Sequence, residues 1–178
     1  MKLKAFGGCI ELGVREKSWK NVRHSAMENE DSFIYLPAVK SEDKKYPPMM
    51  MTVGLYQYAK DSLDESIKEH FLDILSCSKA GAVKEPEMTP LLPPPPSLEG
   101  EKPGHPMSSM GFSASLRPIA DSHPDEVPVG VGGILIRMPR VTSDILVTIQ
   151  GRANPSVLLT IAKSAVRELK ILHWELFV

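Results

Sequence analysis

The sequence predicts an α+β protein, and three observations carry that reading. Short runs rich in β-branched and aromatic residues, bounded by Gly and Pro, recur along the chain. Ser62 and Glu65 form a capping signature ahead of one amphipathic segment, and Asn154-Pro155 opens a second. Between the two segments lie further β-rich runs.

From the start, Met1 to Val14 is an apolar run interrupted by Gly7 and Gly8, which predicts a short strand entering a tight turn or hairpin. Lys17 to Asp31 is polar and reads as a loop feeding a strand at Ser32 to Leu36, stopped by Pro37. The charged stretch Lys40 to Lys45 suits a hairpin loop before Met49 to Tyr58, whose length and aromatics predict a buried strand. In Ser62 to Ser76, Leu63, Ile67, Phe71, Ile74 and Leu75 recur at helical spacing. Eight prolines between Glu85 and Pro106 remove donors and restrict the backbone, arguing against helix or sheet there. A surface excursion is therefore expected at about 85–106.

Strands are predicted again at Gly111 to Ile119, Val127 to Met138 and Asp144 to Gln150. Pro139 to Ser143 is short enough to join the last two as a hairpin. Within the second, Gly132 and Gly133 mark either a close approach or a bulge. From Asn154, the residues Val157, Leu158, Ile161, Ala162, Ala165, Val166 and Leu169 trace one apolar helix face. Trp174 and Phe177 are too apolar for a free tail, and docking them should stabilise the fold by several kcal/mol by area.

A chain of 178 residues fits one domain, 1–178. With 21 Lys and Arg against 22 Asp and Glu, no global field recruits nucleic acid or an anionic membrane. No apolar run reaches the roughly 20 residues needed to span a bilayer, so an intracellular chain is expected. Cys9 and Cys77 lack a Cys-x-x-Cys partner or a nearby histidine pair, which argues against zinc and for buried, reduced thiols. The histidines at 24, 70, 105, 123 and 173 fall in no ligand set and read as solvated or structural. Neither a phosphate-cradling loop nor a nucleophile elbow is present, so the chain is read as a binding protein without catalytic residues, cofactor or metal. A hydrolase would require His24 or His173 to converge on Ser32 or Cys9.

Two acidic groups remain. Glu28, Glu30 and Asp31 bracket Asn29 just before a strand, either as a solvated loop or as a surface complementary to a basic partner. Asp61, Asp64 and Glu65 sit where a helix N-terminus favours negative charge, and capping accounts for them. Pro93 to Pro96 reads as a polyproline spacer, or as a ligand for a proline-recognition domain; the spacer is favoured because no basic anchor flanks it.

The chain resembles the Ran guanine nucleotide release factors of the Mog type, whose fold is shared with the PsbP photosystem proteins. Ala5, Phe6, Gly7 and Gly8 are similar to the family's Leu-Phe-Gly-Gly, and Asn21, Val22 and Arg23 to its Asp-Leu-Arg. With one inserted residue, Glu28 to Phe33 resembles Asp-Asn-Gln-Glu-Val-Phe. Leu135 to Pro139 resembles Leu-Leu-Arg-Leu-Pro, Asp144 to Gln150 resembles Asp-Leu-Leu-Leu-Thr-Phe-Asn, and Leu169 to Phe177 resembles the closing segment. Thr52 and Leu55 stand where the family's third strand has glutamates.

The resemblance implies an antiparallel sheet flanked by helices, an α-β-α sandwich. It implies binding of a Ran-type small GTPase, release of its guanine nucleotide, and support of protein transport between nucleus and cytoplasm. Arg23, Glu28, Asn29, Glu30, Asp31, Asp61, Asp64 and Glu65 would carry the contacts. The alternative is a PsbP-like scaffold or adaptor that uses the same elements to bind a different protein.

Overall fold

A computed structural model describes residues 2–15, 18–21, 32–37, 49–57, 61–78, 80–91, 108–118 and 129–173. The hairpin foreseen at the front is present. Strand β1 (Lys2–Ala5) and β2 (Ile10–Arg15) are antiparallel, joined through a 3₁₀ turn at Phe6–Gly8. Three successive residues there have left-handed φ, +52° at Phe6, +65° at Gly7 and +98° at Gly8. Glycine adopts that conformation without a Cβ clash, whereas Phe6 holds it with its ring buried at 7% exposure.

Among the described residues, eight strands form the main sheet. They are β3 (Trp19–Asn21), β4 (Ser32–Pro37), β5 (Met50–Gln57), β6 (Ala80–Ala82), β7 (Glu87–Leu91), β8 (Ser108–Pro118), β9 (Val129–Met138) and β10 (Ser143–Gly151). Their order is β3-β4-β5-β10-β9-β8-β6, with β7 also beside β8, and every pairing among the described residues is antiparallel. Two strands depart from the sequence reading. Trp19–Asn21 falls in a segment read as loop, yet it pairs with β4 and buries Trp19 at 8% exposure. Too short to show a period, it is defined by its neighbour and by that one indole.

β7 lies in the segment whose prolines argue against sheet. It pairs with Ser109 to Ser113 of β8, following directly on β6, which pairs with Leu116 to Pro118. Among the described residues only β8 flanks β7, and proline is tolerated on such an edge where its missing N–H faces away from the ladder. Pro90 is therefore compatible with the pairing. The Pro93 to Pro96 run and the Trp174 and Phe177 anchor lie outside the described residues.

Between β9 and β10, Pro139–Val141 makes a 3₁₀ turn and Thr142 sits at φ +49°. The register across the hairpin runs without a shift from Ser143↔Met138 to Gly151↔Gly130, so Gly132 marks no bulge. Its role is close approach: a Cβ there would lie 2.1 Å from the backbone nitrogen of Leu159.

Leu159 belongs to helix α2 (Pro155–Val166), where Asn154 accepts from the Ser156 amide at 3.0 Å, the expected N-cap. Leu158, Leu159, Ala162, Ala165 and Val166 are buried against β9, β10 and β2. Val157, assigned to the apolar face from spacing, is exposed. The helix ends at Val166, and Lys170–Ile171 forms a short strand, β11, paired with Ile10 and Glu11 of β2. Helix α1 (Leu63–Ser78) covers the opposite face of the main sheet, over β8, β6 and β9.

Side chains alternate accordingly. Ile134, Ile136, Ile145, Val147 and Ile149 join the core under α2; Val131, Leu135 and Leu146 join Phe112, Ile67 and Phe71 under α1. Cys9 is half-buried and Cys77 exposed, both as free thiols, so the expectation of burial fails for Cys77. Cys77 sits near the C-terminal end of α1.

Candidate partner-binding surface

The N-terminus of α1 is held by a buried charge pair. The hairpin register places Arg137 of β9 directly opposite Asp144 of β10. Arg137 Nε donates to Asp144 Oδ1 at 3.0 Å, and Nη2 to Oδ2 at 2.9 Å, a bidentate arrangement with Asp144 fully buried. The remaining guanidinium donors reach across to the helix: Nη2 to Ser66 Oγ at 2.8 Å, and Nη1 to the Asp61 carbonyl at 2.5 Å. One cation thus joins two strands to the first turn of α1.

Around that anchor stand three acids singled out from the sequence. Asp61, Asp64 and Glu65 are all exposed. The Glu65 amide reaches the Ser62 hydroxyl oxygen at 3.4 Å, completing half of the capping box. A hydrogen bond from the Ser62 side chain, followed by backbone amides at the helix start, holds the Asp64 carboxyl below its usual range. The first turn therefore presents ionised carboxylates to solvent on a backbone pinned from beneath.

Arg23, Glu28, Asn29, Glu30 and Asp31 lie outside the described residues. The segment carrying the four acidic-loop residues leads into Ser32, whose register partner on β5 is Gly54. Tyr56, two residues on, is the partner of Asp144. The entry to β4 and the start of α1 thus fall at the same end of the sheet. Thr52 pairs with Ile34 and Thr148, while Leu55 packs against the core on the α2 side.

Arg137 and Asp144 were each legible as members of the matched segments, but not as a pair. The available signal was the hairpin spacing: a strand ending Arg-Met-Pro and one opening Ser-Asp close with those two charges opposed. Ser66 and His70, four apart on the apolar face of α1, marked polar partners beneath the helix. No group of three or more His, Cys, Asp or Glu among the described residues could hold a metal ion. Of the pairings a hydrolase would need, His173 and Cys9 meet through the backbone, the His173 amide 3.4 Å from the Cys9 carbonyl, and His24 lies outside the described residues. No described helix is long and apolar enough to cross a membrane.

No family model matches the sequence, and neither does any curated protein. Solved structures do. The crystal structure of the Ran-binding protein Mog1p of Saccharomyces cerevisiae superposes with a TM-score of 0.71 at 14% identity, covering 100% of this chain and 98% of that one. A point mutant of the protein Mog1 gives a TM-score of 0.68 at 15% identity, with the same coverage. An antiparallel sheet with α1 on one face and α2 on the other, matched over the whole length of both chains, makes this a divergent Mog1-like chain in fold.

Proposed function

We propose that this chain binds a Ran-type small GTPase through its acidic surface, promotes release of the bound guanine nucleotide, and so supports protein transport between nucleus and cytoplasm. The observation that carries the reading is the full-length likeness to a structure described as a Ran-binding protein. Two features of the chain support it. Asp61, Asp64 and Glu65 are exposed on a helix start fixed by Arg137, and Ser32, which follows the acidic segment Glu28 to Asp31 in the sequence, opens β4 at that same end. Acids so placed complement a basic patch on a partner.

Such a factor needs no chemistry of its own. By binding the nucleotide-free GTPase more tightly than the loaded one, it shifts the loading equilibrium by that difference in affinity. A second reading, an adaptor for a different protein, is favoured by Thr52 and Leu55, which replace acids that the resemblance places on the third strand.

The test is the rate at which a fluorescent guanine nucleotide leaves purified Ran. Wild type should accelerate it, and Glu28→Ala/Glu30→Ala/Asp31→Ala and Asp64→Ala/Glu65→Ala variants that keep the fold should lose most of that acceleration. Absence of binding and release by the wild type would leave the adaptor reading.

A further inference from the structure

Beneath α1 lies an ionisable group that the partner surface does not use. His70 is only 5% exposed, and its ring lies against Tyr56 of β5, with centroids 4.6 Å apart and planes tilted by 46°. Its Nε2 is buried without a hydrogen-bond partner. The charged groups around it are Glu69 and Asp73 on its own helix, Asp144 on β10 and Arg137 on β9. Both Asp144 oxygens already accept from Arg137, so the carboxylate beneath the helix is engaged before the imidazole can claim it.

We propose that His70 is a proton-sensitive latch, seating α1 on the sheet while neutral and releasing the helix when protonated. A neutral imidazole packs tilted against the Tyr56 ring and carries no charge to desolvate. An imidazolium in the same place would be a desolvated cation whose burial cost the carboxylates of Asp144, Asp73 and Glu69 do not offset, with Arg137 adding a little to it, and lifting α1 relieves that cost by returning the ring to water. The apolar seat is Ile67 and Phe71, buried outright, with Leu63, Ile74 and Leu75 half-buried beside them, and an opening confined to it is local.

Burial, the largest influence, pulls the His70 pKa below the ordinary histidine value, outweighing the three carboxylates that raise it. With the folded value depressed, the seated state has its full stability above the unfolded value of about 6.5 and loses it as pH falls toward the folded pKa. The acidic first turn, Asp64 and Glu65, travels with the helix. The latch does not depend on which partner those acids meet.

Hydrogen exchange of the α1 amides between pH 5 and 7.5, corrected for intrinsic rates, tests it in wild type and His70→Phe. Wild-type protection of residues 63–78 should fall by up to about tenfold per pH unit below about 6.5, while β9 and β10 stay protected. In His70→Phe it should stay flat. A flat wild type, or the same pH dependence in the variant, overturns the latch. Should His70→Phe not fold, NMR titration of the wild-type His70 ring decides. A midpoint below 6.5 that coincides with shifts of the α1 amides supports the latch, and a midpoint at or above 6.5 overturns it.

Discussion

Replacing Arg137 by Met should be among the most damaging single changes in this protein. The substitution keeps much of the aliphatic stem but removes the guanidinium. That leaves a fully buried Asp144 carboxylate without its two donors, and takes a partner from Ser66 and from the Asp61 carbonyl. Removing one member of a buried pair costs about 3–5 kcal/mol, against a total stability of roughly 5–15 kcal/mol for an ordinary domain. With a urea m-value of about 2 kcal/mol/M, the unfolding midpoint should fall by roughly 2 M. Asp144→Leu strands the guanidinium instead and should cost a similar amount. The double variant Arg137→Met/Asp144→Leu removes both charges and should be more stable than either single variant, with a coupling energy above about 2 kcal/mol. Urea denaturation of the four proteins gives the cycle. Single-variant losses below about 1 kcal/mol, or strictly additive losses, would refute the account of a charge pair whose members depend on each other.

Two further outcomes follow from the packing. Burial pushes the Tyr35 hydroxyl, which donates to the Lys4 carbonyl at 3.0 Å, up to about 12. Its contribution is complete below about pH 10 and declines as pH rises toward 12, by roughly 2–3 kcal/mol; Tyr35→Phe should lose about 1 kcal/mol at neutral pH and gain on wild type in urea titrations above pH 10. Gly132→Ala should lower the melting temperature by several degrees, because the new Cβ meets α2 backbone rather than a side chain able to turn aside. A neutral result there would mean that α2 slides along the sheet.

What the sequence reveals and what it hides divides along physical lines. Long periodic segments announce themselves: Met49 to Tyr58, Val127 to Met138 and the two capped helices needed only their own pattern. Trp19–Asn21, Glu87–Leu91 and Lys170–Ile171 are brief segments whose conformation comes from a neighbouring strand, so their own composition carries little of the signal. At the candidate surface, Asp61, Asp64 and Glu65 were visible because capping chemistry is local. The Arg137–Asp144 pair was not read because it depends on a hairpin register, and its reach to Ser66 depends on how a helix settles across the sheet.

The pairing of β11 with β2 bears on how the protein is made. Lys170 finds its place beside Glu11, about 160 residues earlier in the chain. At a synthesis rate of about 5–20 residues per second, β2 waits many seconds before that edge can be covered. Until then, the front hairpin leaves one edge of β2 uncovered, beside Ile10 and Leu12, which become fully buried in the finished fold. Contacts of such long range also slow folding, since the intervening loop must close before they stabilise anything. The nascent chain is therefore open to aggregation or to chaperone capture at this edge of β2.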